Sequence, residues 1–397
     1  MKPFIIRHIP KEQFEDSLSL SEFAFQYEVP KEERAKKLSL LKEKECWGAY
    51  VEGNLAARMT VIDLHVWLYG KRFAMGGIAS VATWPEYRRG GLVSALLSNA
   101  LNVMREQGQS LSFLHPFQFA FYRKFGWETY TETKKYEIPT ALLPKFPHQP
   151  GRVVRVSRET ELLNSIYQQY AKGYNGTLDR DEGWWNHRIL DGKKGTVAVY
   201  YDGSGEPSGY VHYEVKQQIC RIHELVYLHR EAWKGLWRFI ADHDSMIEKV
   251  TISVPANDAT SFLLDNPRIK QEVIPYFMAR IVDVKSFMEQ FPFVPAAQES
   301  DIRRLRLRIS DAHAEWNDGE FLLEISPDGG VRIDKVQEAD SGAPAVSCGV
   351  GTLAAMFMGY QRPTFLHDVD RLEGDREAVA LLESIIPEGQ TYLPDFF

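Results

Sequence analysis

Apolar positions recur at two periods along the chain, and the switches between them lay out its elements. Lys11 to Tyr27 and Lys31 to Lys44 carry helical spacing, the second strongly charged with Leu38 and Leu41 on its apolar face. Trp47 to Glu52 and Asn54 to His65 read as strands joined at the Glu52-Gly53-Asn54 turn. Val66 to Phe73, turning at Gly70, leads into a strand from Gly76 to Thr83, after which Pro85 breaks the pattern. From Gly91 to Gln107, Val93, Leu96, Leu97, Ala100, Leu101 and Met104 share one helix face, and Gly108 supplies the stop. Ser110 to Leu114 reads as a short buried strand, followed by an aromatic run from Phe117 to Trp127.

Pro139, Pro144, Pro147 and Pro150 crowd the best linker in the chain, and Phe291-Pro292-Phe293-Val294-Pro295 marks a second one. These divide the chain into units of 1–146, 150–292 and 296–397. The middle unit again mixes strands (Thr196 to Tyr201, Ser208 to Val215, Cys220 to Leu228) with a helix, Arg230 to His243, that follows a strand as in the first unit. That shared order suggests a duplicated fold. The last unit starts with strands (Arg303 to Ile309, Gly319 to Ile325, Gly330 to Lys335), continues with helices at Gly349 to Gly359 and Asp375 to Ile385, and ends at Pro394-Asp395-Phe396-Phe397.

The 397 residues carry 47 basic and 54 acidic side chains, a formal charge of −7, with 44% hydrophobic residues, which is ordinary globular composition. The acidic balance argues against a nucleic-acid partner and favours cationic small molecules. No run of about 18 apolar residues offers a membrane span, and the N-terminus has no signal-peptide core, so the expected compartment is the cytoplasm. Cys46, Cys220 and Cys348 are widely spaced and odd in number, so they read as buried thiols without a disulfide framework.

The chemistry concentrates between Gly76 and Leu97, where a strand passes through Arg88-Arg89-Gly90-Gly91 into a helix. Glycines let the backbone approach a ligand, and the unpaired amides of a first helical turn attract an anion. This is the physics of a pyrophosphate cradle, but no Lys-Ser/Thr follows, so it is not a P-loop. Arg88-Arg89-Gly90-Gly91-Leu92-Val93 resembles the acetyl-CoA loop Arg/Gln-x-x-Gly-x-Gly/Ala of the GNAT acyltransferases through Arg88 and Gly91, with Val93 in place of the last small residue. Phe121-Tyr122-Arg123-Lys124-Phe125-Gly126 resembles the late signature Phe-Tyr-x-x-x-Gly-Phe. The second unit has no such loop: Leu228-His229-Arg230-Glu231-Ala232-Trp233 lacks glycine until Gly235, so that unit is expected to be structural and pocket-forming.

The length, the Tyr122 to Gly126 segment, the repeated unit and the terminal domain together resemble the Eis (enhanced intracellular survival) family of N-acetyltransferases. The resemblance implies an α/β (α+β) chain of two GNAT-like mixed-sheet domains and a sterol-carrier-protein-like domain. It further implies acetyl-CoA as co-substrate, held by Val81, Ala82, Thr83, Arg88, Arg89, Gly90, Gly91, Leu92, Val93 and Ser94, with Phe117 and Gln118 completing the contacts. In this reading Tyr122 protonates the leaving thiolate, and the terminal carboxylate of Phe397 takes a proton from the acceptor amine. Two terminal phenylalanines after a proline argue against a frayed tail, because leaving them exposed is unfavourable. Aminoglycosides or polyamines as acceptors and a homo-oligomer, a hexamer, are implied by resemblance alone. Acceptor contacts are expected at Glu22, Phe25, Tyr27 and Glu28, whose aromatics and carboxylates suit an amine, and Trp184 and Trp185 could wall a pocket. Gly349-Val350-Gly351-Thr352-Leu353-Ala354 mimics a dinucleotide fingerprint, but too few residues follow for the sheet such a site needs. His212 and His223 lie on adjacent strand patterns with no third ligand at metal spacing, so no metal is expected. Two alternatives remain: acetylation of protein lysines, and a non-catalytic CoA- or lipid-binding scaffold.

Overall fold

Three tight hairpins set the strand registers. Glu52-Gly53, Tyr69-Gly70 and Gln217-Gln218 all take positive φ at both turn positions, the twist that lets a two-residue loop join adjacent antiparallel strands. A computed structural model describes residues 3–295, 302–336 and 342–397. In the first half the strands are β1 (Phe4–His8), β2 (Cys46–Val51), β3 (Asn54–Leu68), β4 (Lys71–Thr83), β5 (Leu111–Leu114), β6 (Glu128–Thr129) and β7 (Glu132–Pro139). Then follow β8 (Arg152–Val156), β9 (Thr196–Tyr201), β10 (Pro207–Lys216), β11 (Ile219–Tyr227), β12 (Lys249–Pro255), β13 (Lys270–Pro275) and β14 (Met278–Ile281). The last five are β15 (Arg303–Ser310), β16 (Gly319–Ile325), β17 (Val331–Val336), β18 (Ala345–Gly349) and β19 (Glu373–Gly374).

These make three mixed sheets, ordered β1-β2-β3-β4-β5-β14-β6, β13-β7-β12-β11-β10-β9-β8 and β17-β16-β15-β18-β19. Each has one parallel pair among antiparallel neighbours: β4 with β5, β11 with β12, and β15 with β18. The mixed α+β organisation expected from the sequence is the observed one.

The α-helices are α1 (Phe14–Phe25), α2 (Lys31–Ser39), α3 (Leu92–Glu106), the single turn α4 (Phe119–Arg123), α5 (Thr160–Ala171), α6 (Glu182–Trp184), α7 (Arg230–Ala241), α8 (Val284–Gln290), α9 (Val350–Phe357), α10 (Pro363–Asp368) and α11 (Arg376–Ile385). The long helix anticipated at Lys11 to Tyr27 opens as a 3-10 turn at Lys11–Gln13, and α2 stops at Ser39 instead of Lys44. Beyond Ser39 the chain closes Leu41 onto Ile9, Phe14 and Cys46, so packing overrides helical propensity there. In α3 the stripe Leu92, Leu96, Leu97, Ala100, Leu101 and Met104 is buried against the first sheet, as its period predicts.

The first two sheets repeat one plan: an antiparallel meander, a helix (α3 or α7), then a parallel strand. They also exchange strands. β14 comes from the second half of the chain, yet it lies in the first sheet between β5 and β6. β7 precedes the proline-rich linker, yet it lies in the second sheet between β12 and β13. The units drawn at 1–146 and 150–292 are therefore continuous in sequence but reciprocally completed in space. The expected start of the third unit at 296 falls in 296–301, outside the described residues.

The third sheet closes on the others through α9, whose residues other than Gly351 are all buried and which packs on β14 and β6. The Gly349 to Ala354 segment is thus an interdomain core helix. Arg280 on β14 is the polar rivet of this contact. Its guanidinium has no exposure and donates to both Asp311 oxygens at 2.7 and 2.8 Å, and also to the Phe125 carbonyl. Gly126 has φ +84°, and a Cβ there would fall 1.7 Å from Arg280 Nη1, so glycine is required at the end of the Tyr122 segment. All three cysteines are buried free thiols. Among the described residues no helix is long and apolar enough to cross a membrane.

Removing one partner of a buried ion pair strands the other charge. Asp311→Ala is expected to cost about 3–5 kcal/mol, read as a lowered denaturant midpoint. A shift below about 1 kcal/mol would show that Arg280 finds other compensation.

Candidate active site

Parallel pairing of β4 with β5 runs from Met75 opposite Leu111 to Ile78 opposite Leu114 and ends there. β4 continues to Thr83, still paired with β3 but without a strand partner on its other edge among the described residues. The two strands therefore splay apart before Val81 to Thr83. At the same place the β3 register slips between Arg58 and Thr60, and Ser80 takes φ +53°. That bulge disrupts the ladder locally and holds a non-glycine residue in a left-handed conformation, strain that persists only where the surroundings enforce it. A V-shaped opening with unpaired β4 backbone can receive an extended ligand as an added strand.

The loop after β4 carries the anion-binding geometry. Arg89 and Gly91 are both left-handed, at φ +62° and +74°. Gly91 caps α3 with no side-chain hydrogen bond, and Ala95 is the first amide to reach back, to the Gly91 carbonyl. The amides of Leu92, Val93 and Ser94 thus lie ahead of the helical ladder, at the positive end of a fifteen-residue helix. Arg88 and Arg89 are exposed and engaged in no ion pair among the described residues. The predicted cradle residues are together, and the cradle fits a pyrophosphate.

In the second sheet the corresponding helix, α7, is capped differently. His229 Nδ1 accepts from the Ala232 amide at 3.2 Å, so an imidazole fills the position where an anion would bind.

Tyr122 is 2% exposed and belongs to the cluster formed with α3, its ring 5.4 Å from that of the exposed Phe117. Burial raises its phenol well above the ordinary value, so it carries its proton at neutral pH. Its hydroxyl has no protein partner among the described residues. Gln118 caps α4 in extended conformation beside Phe117.

Phe397 arrives from the opposite face. Gly76 faces α3, where a Cβ would meet Met104, whereas the next residue, Gly77, faces away. On that side a Cβ would fall 2.8 Å from the Phe397 ring and 2.9 Å from Leu64. Phe397 is 8% exposed and also packs on Phe277 and Trp184, with ring centroids at 5.0 and 6.1 Å. Phe396 is exposed but stacks on His115, the residue after β5, at 5.0 Å. The last two side chains therefore straddle the point where β4 and β5 part, Gly77 lying one residue before it and His115 one residue after.

The tail is tied to a loop of the second unit. Residues 176–179 lie along the end of β3, through Trp67 N to the Thr177 carbonyl (2.9 Å) and Asp179 N to the His65 carbonyl (2.8 Å). The same loop receives the tail, with Asn175 N donating to the Gln390 carbonyl and Tyr392 N to the Asn175 carbonyl. Beside it opens a cleft of about 440 Å3. Asp63, Leu64, Asp179, Asp181 and Trp184 line it, and Leu64 and Trp184 carry it up to Phe397.

The acceptor contacts expected near α1 are not at this cleft. Glu22 is occupied by Arg34 (3.0 Å to each oxygen) and by the Val29 amide (2.8 Å). Its carboxyl is held low, chiefly by that amide bond. Tyr27 is half-buried under Lys37 Nζ at 4.5 Å, and Phe25 and Glu28 are exposed. Glu22 is therefore a brace between α1 and α2. Trp184 does line the cleft, whereas Trp185 is buried and donates to Asn164 at 2.9 Å. Asp63, Asp181, Arg180 and Asp395 were not singled out in the sequence. The only available signal was Asp395, a lone carboxylate in an apolar terminal run. The His212 and His223 rings stack at 5.0 Å, and no metal-competent cluster of His, Cys, Asp or Glu occurs among the described residues.

Comparison with known proteins follows the same division. The acetyltransferase (GNAT) domain family matches residues 5–130 and, through a second profile, residues 176–281. The sterol carrier protein domain family matches residues 284–394. An uncharacterized N-acetyltransferase of Streptomyces avermitilis is 24% identical over 93% of this chain and 92% of its own length. The N-acetyltransferase Eis of Mycobacterium tuberculosis is 24% identical over 64% of this chain and 68% of its own. Among solved structures, a probable N-acyltransferase of unknown function from Enterococcus faecalis superimposes with TM-score 0.92 at 28% identity, covering both chains fully. Eis1 from Mycobacterium abscessus shares the fold over both full chains, with TM-score 0.80 at 20% identity.

Because Gly77 leaves room for the Phe397 ring and little else, Gly77→Ala is expected to loosen the tail by about 1–3 kcal/mol of overpacking. Carboxypeptidase A should then release the terminal phenylalanine at least about tenfold faster than from the unsubstituted chain. Equal release rates would mean that the ring is not held there.

Proposed function

Since the chain belongs to the Eis-like tandem GNAT N-acetyltransferases with a sterol carrier domain, we propose that it moves the acetyl group of acetyl-CoA directly to a primary amine of a small cationic acceptor. The observation that carries this reading is the seating of Phe397 at the β4–β5 splay, on the face opposite Tyr122. The amides of Leu92 to Ser94, with Arg88 and Arg89, would bind the pyrophosphate, and the free edge of Val81 to Thr83 the pantetheine arm. The acceptor nitrogen would attack the thioester carbonyl carbon, with the developing oxyanion stabilised by amides at the Ser80 bulge, near Val81 and Ala82. As the tetrahedral intermediate collapses the C–S bond breaks. The sulfur takes the Tyr122 proton, and the Phe397 carboxylate takes the proton lost by nitrogen. Holding both substrates in one site makes a covalent enzyme intermediate unnecessary.

The cleft supports a cationic acceptor. Its Lys42 pairs with Glu45 at 3.2 Å, Arg72 with Asp179 at 2.5 Å, and Arg180 is buried against carboxylates outside the cleft, which leaves the exposed Lys44 as its lysine without an ion pair among the described residues. Among the described residues Asp63 and Asp181 accept side-chain hydrogen bonds from neutral donors alone, Gln109 and the Trp184 amide, so these two carboxylates outnumber the unpaired lysine and are open to an ammonium group. A volume of about 440 Å3 suits a small amine such as a polyamine or aminoglycoside ring.

The test is thiol release from acetyl-CoA against polyamines, aminoglycosides and lysine peptides. One added glycine after Phe397 displaces the terminal carboxylate by about 3.5 Å, and should lower kcat by about 100-fold or more with the KM for acetyl-CoA little changed. Tyr122→Phe should lower kcat by about 10²–10³-fold. Undiminished turnover in the extended chain would remove Phe397 as base. Turnover confined to lysine peptides would move the acceptor to proteins, and none on any amine, with CoA still bound, would leave a scaffold.

A further inference from the structure

The tail that ends at Phe397 is fixed by a buried charge network that the transfer chemistry does not itself use. Arg180 has no exposure. Its Nη1 and Nη2 donate to the two oxygens of Glu224 at 3.0 and 2.6 Å, while Nε donates to both oxygens of Asp395, at 3.0 and 3.2 Å. The guanidinium is stacked 3.9 Å over the Tyr167 ring and 4.8 Å from that of Trp185. Glu224 also accepts from Tyr210 at 2.5 Å, and Asp395 from Trp184 Nε1 at 2.8 Å. Tyr276 donates to the Asp395 main-chain carbonyl at 3.0 Å. Burial opposes charge on Glu224, but Arg180 and Tyr210 hold its carboxyl low.

The placement is specific. Asp395 lies two residues before Phe397, and two of its partners, Trp184 and Tyr276, also touch what surrounds the terminus: Trp184 packs on Phe397, and Tyr276 packs on Phe277 and His115. Arg180 and Glu224 belong to the second unit, which has no cofactor loop of its own. A guanidinium that donates to two carboxylates at once, one of them in the tail, has one low-energy arrangement of that tail. Without it, the tail would keep apolar contacts, main-chain bonds near residue 175 and neutral hydrogen bonds to Asp395 from Trp184, Tyr276 and Tyr167, but no ion pair.

We propose that Arg180, with Glu224 as its second carboxylate, is a positioning residue for acetyl transfer. Through Asp395 it holds the Phe397 carboxylate at the β4–β5 splay, so the second, cofactor-free GNAT unit sets the position of the base used by the first. The inference rests on the reading of the Phe397 carboxylate as base.

Asp395→Asn keeps the shape and the Trp184 bond and removes the charge facing Arg180. Its turnover is measured on the full chain per acetyl-CoA-binding site, counted by titration, so that misfolded protein does not enter the rate. The expected result is a kcat about 10–100-fold lower, an unchanged KM for acetyl-CoA, and faster release of Phe397 by carboxypeptidase A. Asp395→Glu, which restores the charge, should recover part of the kcat. A kcat per site equal to that of the unsubstituted chain overturns the proposal. If Asp395→Asn does not fold, Arg180→Lys, which keeps the positive charge but loses the fork that reaches both carboxylates, must lower kcat in the same direction, and an unchanged kcat there overturns it equally. The chain extended by one glycine separates the two readings. Loss in the extended chain without loss in Asp395→Asn sinks the positioning role alone. No loss in the extended chain sinks the terminal base and this proposal with it.

Discussion

The first sheet cannot be finished by the first half of the chain. β5 has a hydrogen-bonding edge that β4 leaves open, and the strand that covers it is β14, delivered from beyond the second sheet. β7 makes the reverse journey. An exposed strand edge is an unsatisfied row of donors and acceptors, so neither sheet is complete until both crossings are made. β14 is only four residues long, yet Met278 packs into the α3 core while Arg280 fastens the third unit through Asp311. The splay, the aromatic segment at Tyr122 and the third sheet are held in one frame by those few residues. Because the pairings are distant in sequence, the loop-closure cost precedes the reward, and the site is expected to form late in folding.

The duplicated plan shows how little separates a ligand site from a structural one. Both sheets splay after a parallel pair and send a helix back across the meander. At α3 the cap is Gly91, whose left-handed backbone carries no side chain into the helix end. At α7 the cap is His229, whose ring accepts from the Ala232 amide of the first turn, with Glu231 adding negative charge in that turn. An anion gains less where an amide is already satisfied and is repelled by a carboxylate at the same end. The second unit has the same scaffold without a turn like Arg88 to Gly91, and with it the walls that receive the tail.

What was legible in the sequence was local. The stripe of α3, the hairpins at Gly53 and Gly70, the Arg88 to Gly91 turn and the aromatic run ending at Gly126 each depend on neighbours within a few residues, where period and turn chemistry suffice. The reason for Gly126 was not legible, because Arg280 fills its Cβ position from far along the chain. Glu22 looked like an acceptor ligand because its partner, Arg34, sits on the next helix, and a sequence does not show which exposed-looking carboxylates are already bonded. Arg180 was invisible for the same reason. A lone arginine in a polar loop gives no hint that its two carboxylates lie one on β11 and one in the last three residues.

The tail shows why an isolated charge near a terminus is informative once the fold is known. Residues 393, 395 and 397 are buried and 396 is exposed, the alternation of an extended strand laid on a surface. Apolar burial alone would not fix its register, since Phe396 and Phe397 are the same side chain, and a slip by one residue would still bury a phenyl ring against Gly77. Such a slip would place Pro394 or Phe396 opposite Arg180 and leave a fully buried cation short of one carboxylate, a state several kcal/mol higher by the general cost of uncompensated buried charge. Hydrophobic contact therefore holds the tail down, whereas the Asp395 charge decides which of two identical rings, and hence which carbonyl carbon of the chain, lies at the opening between β4 and β5.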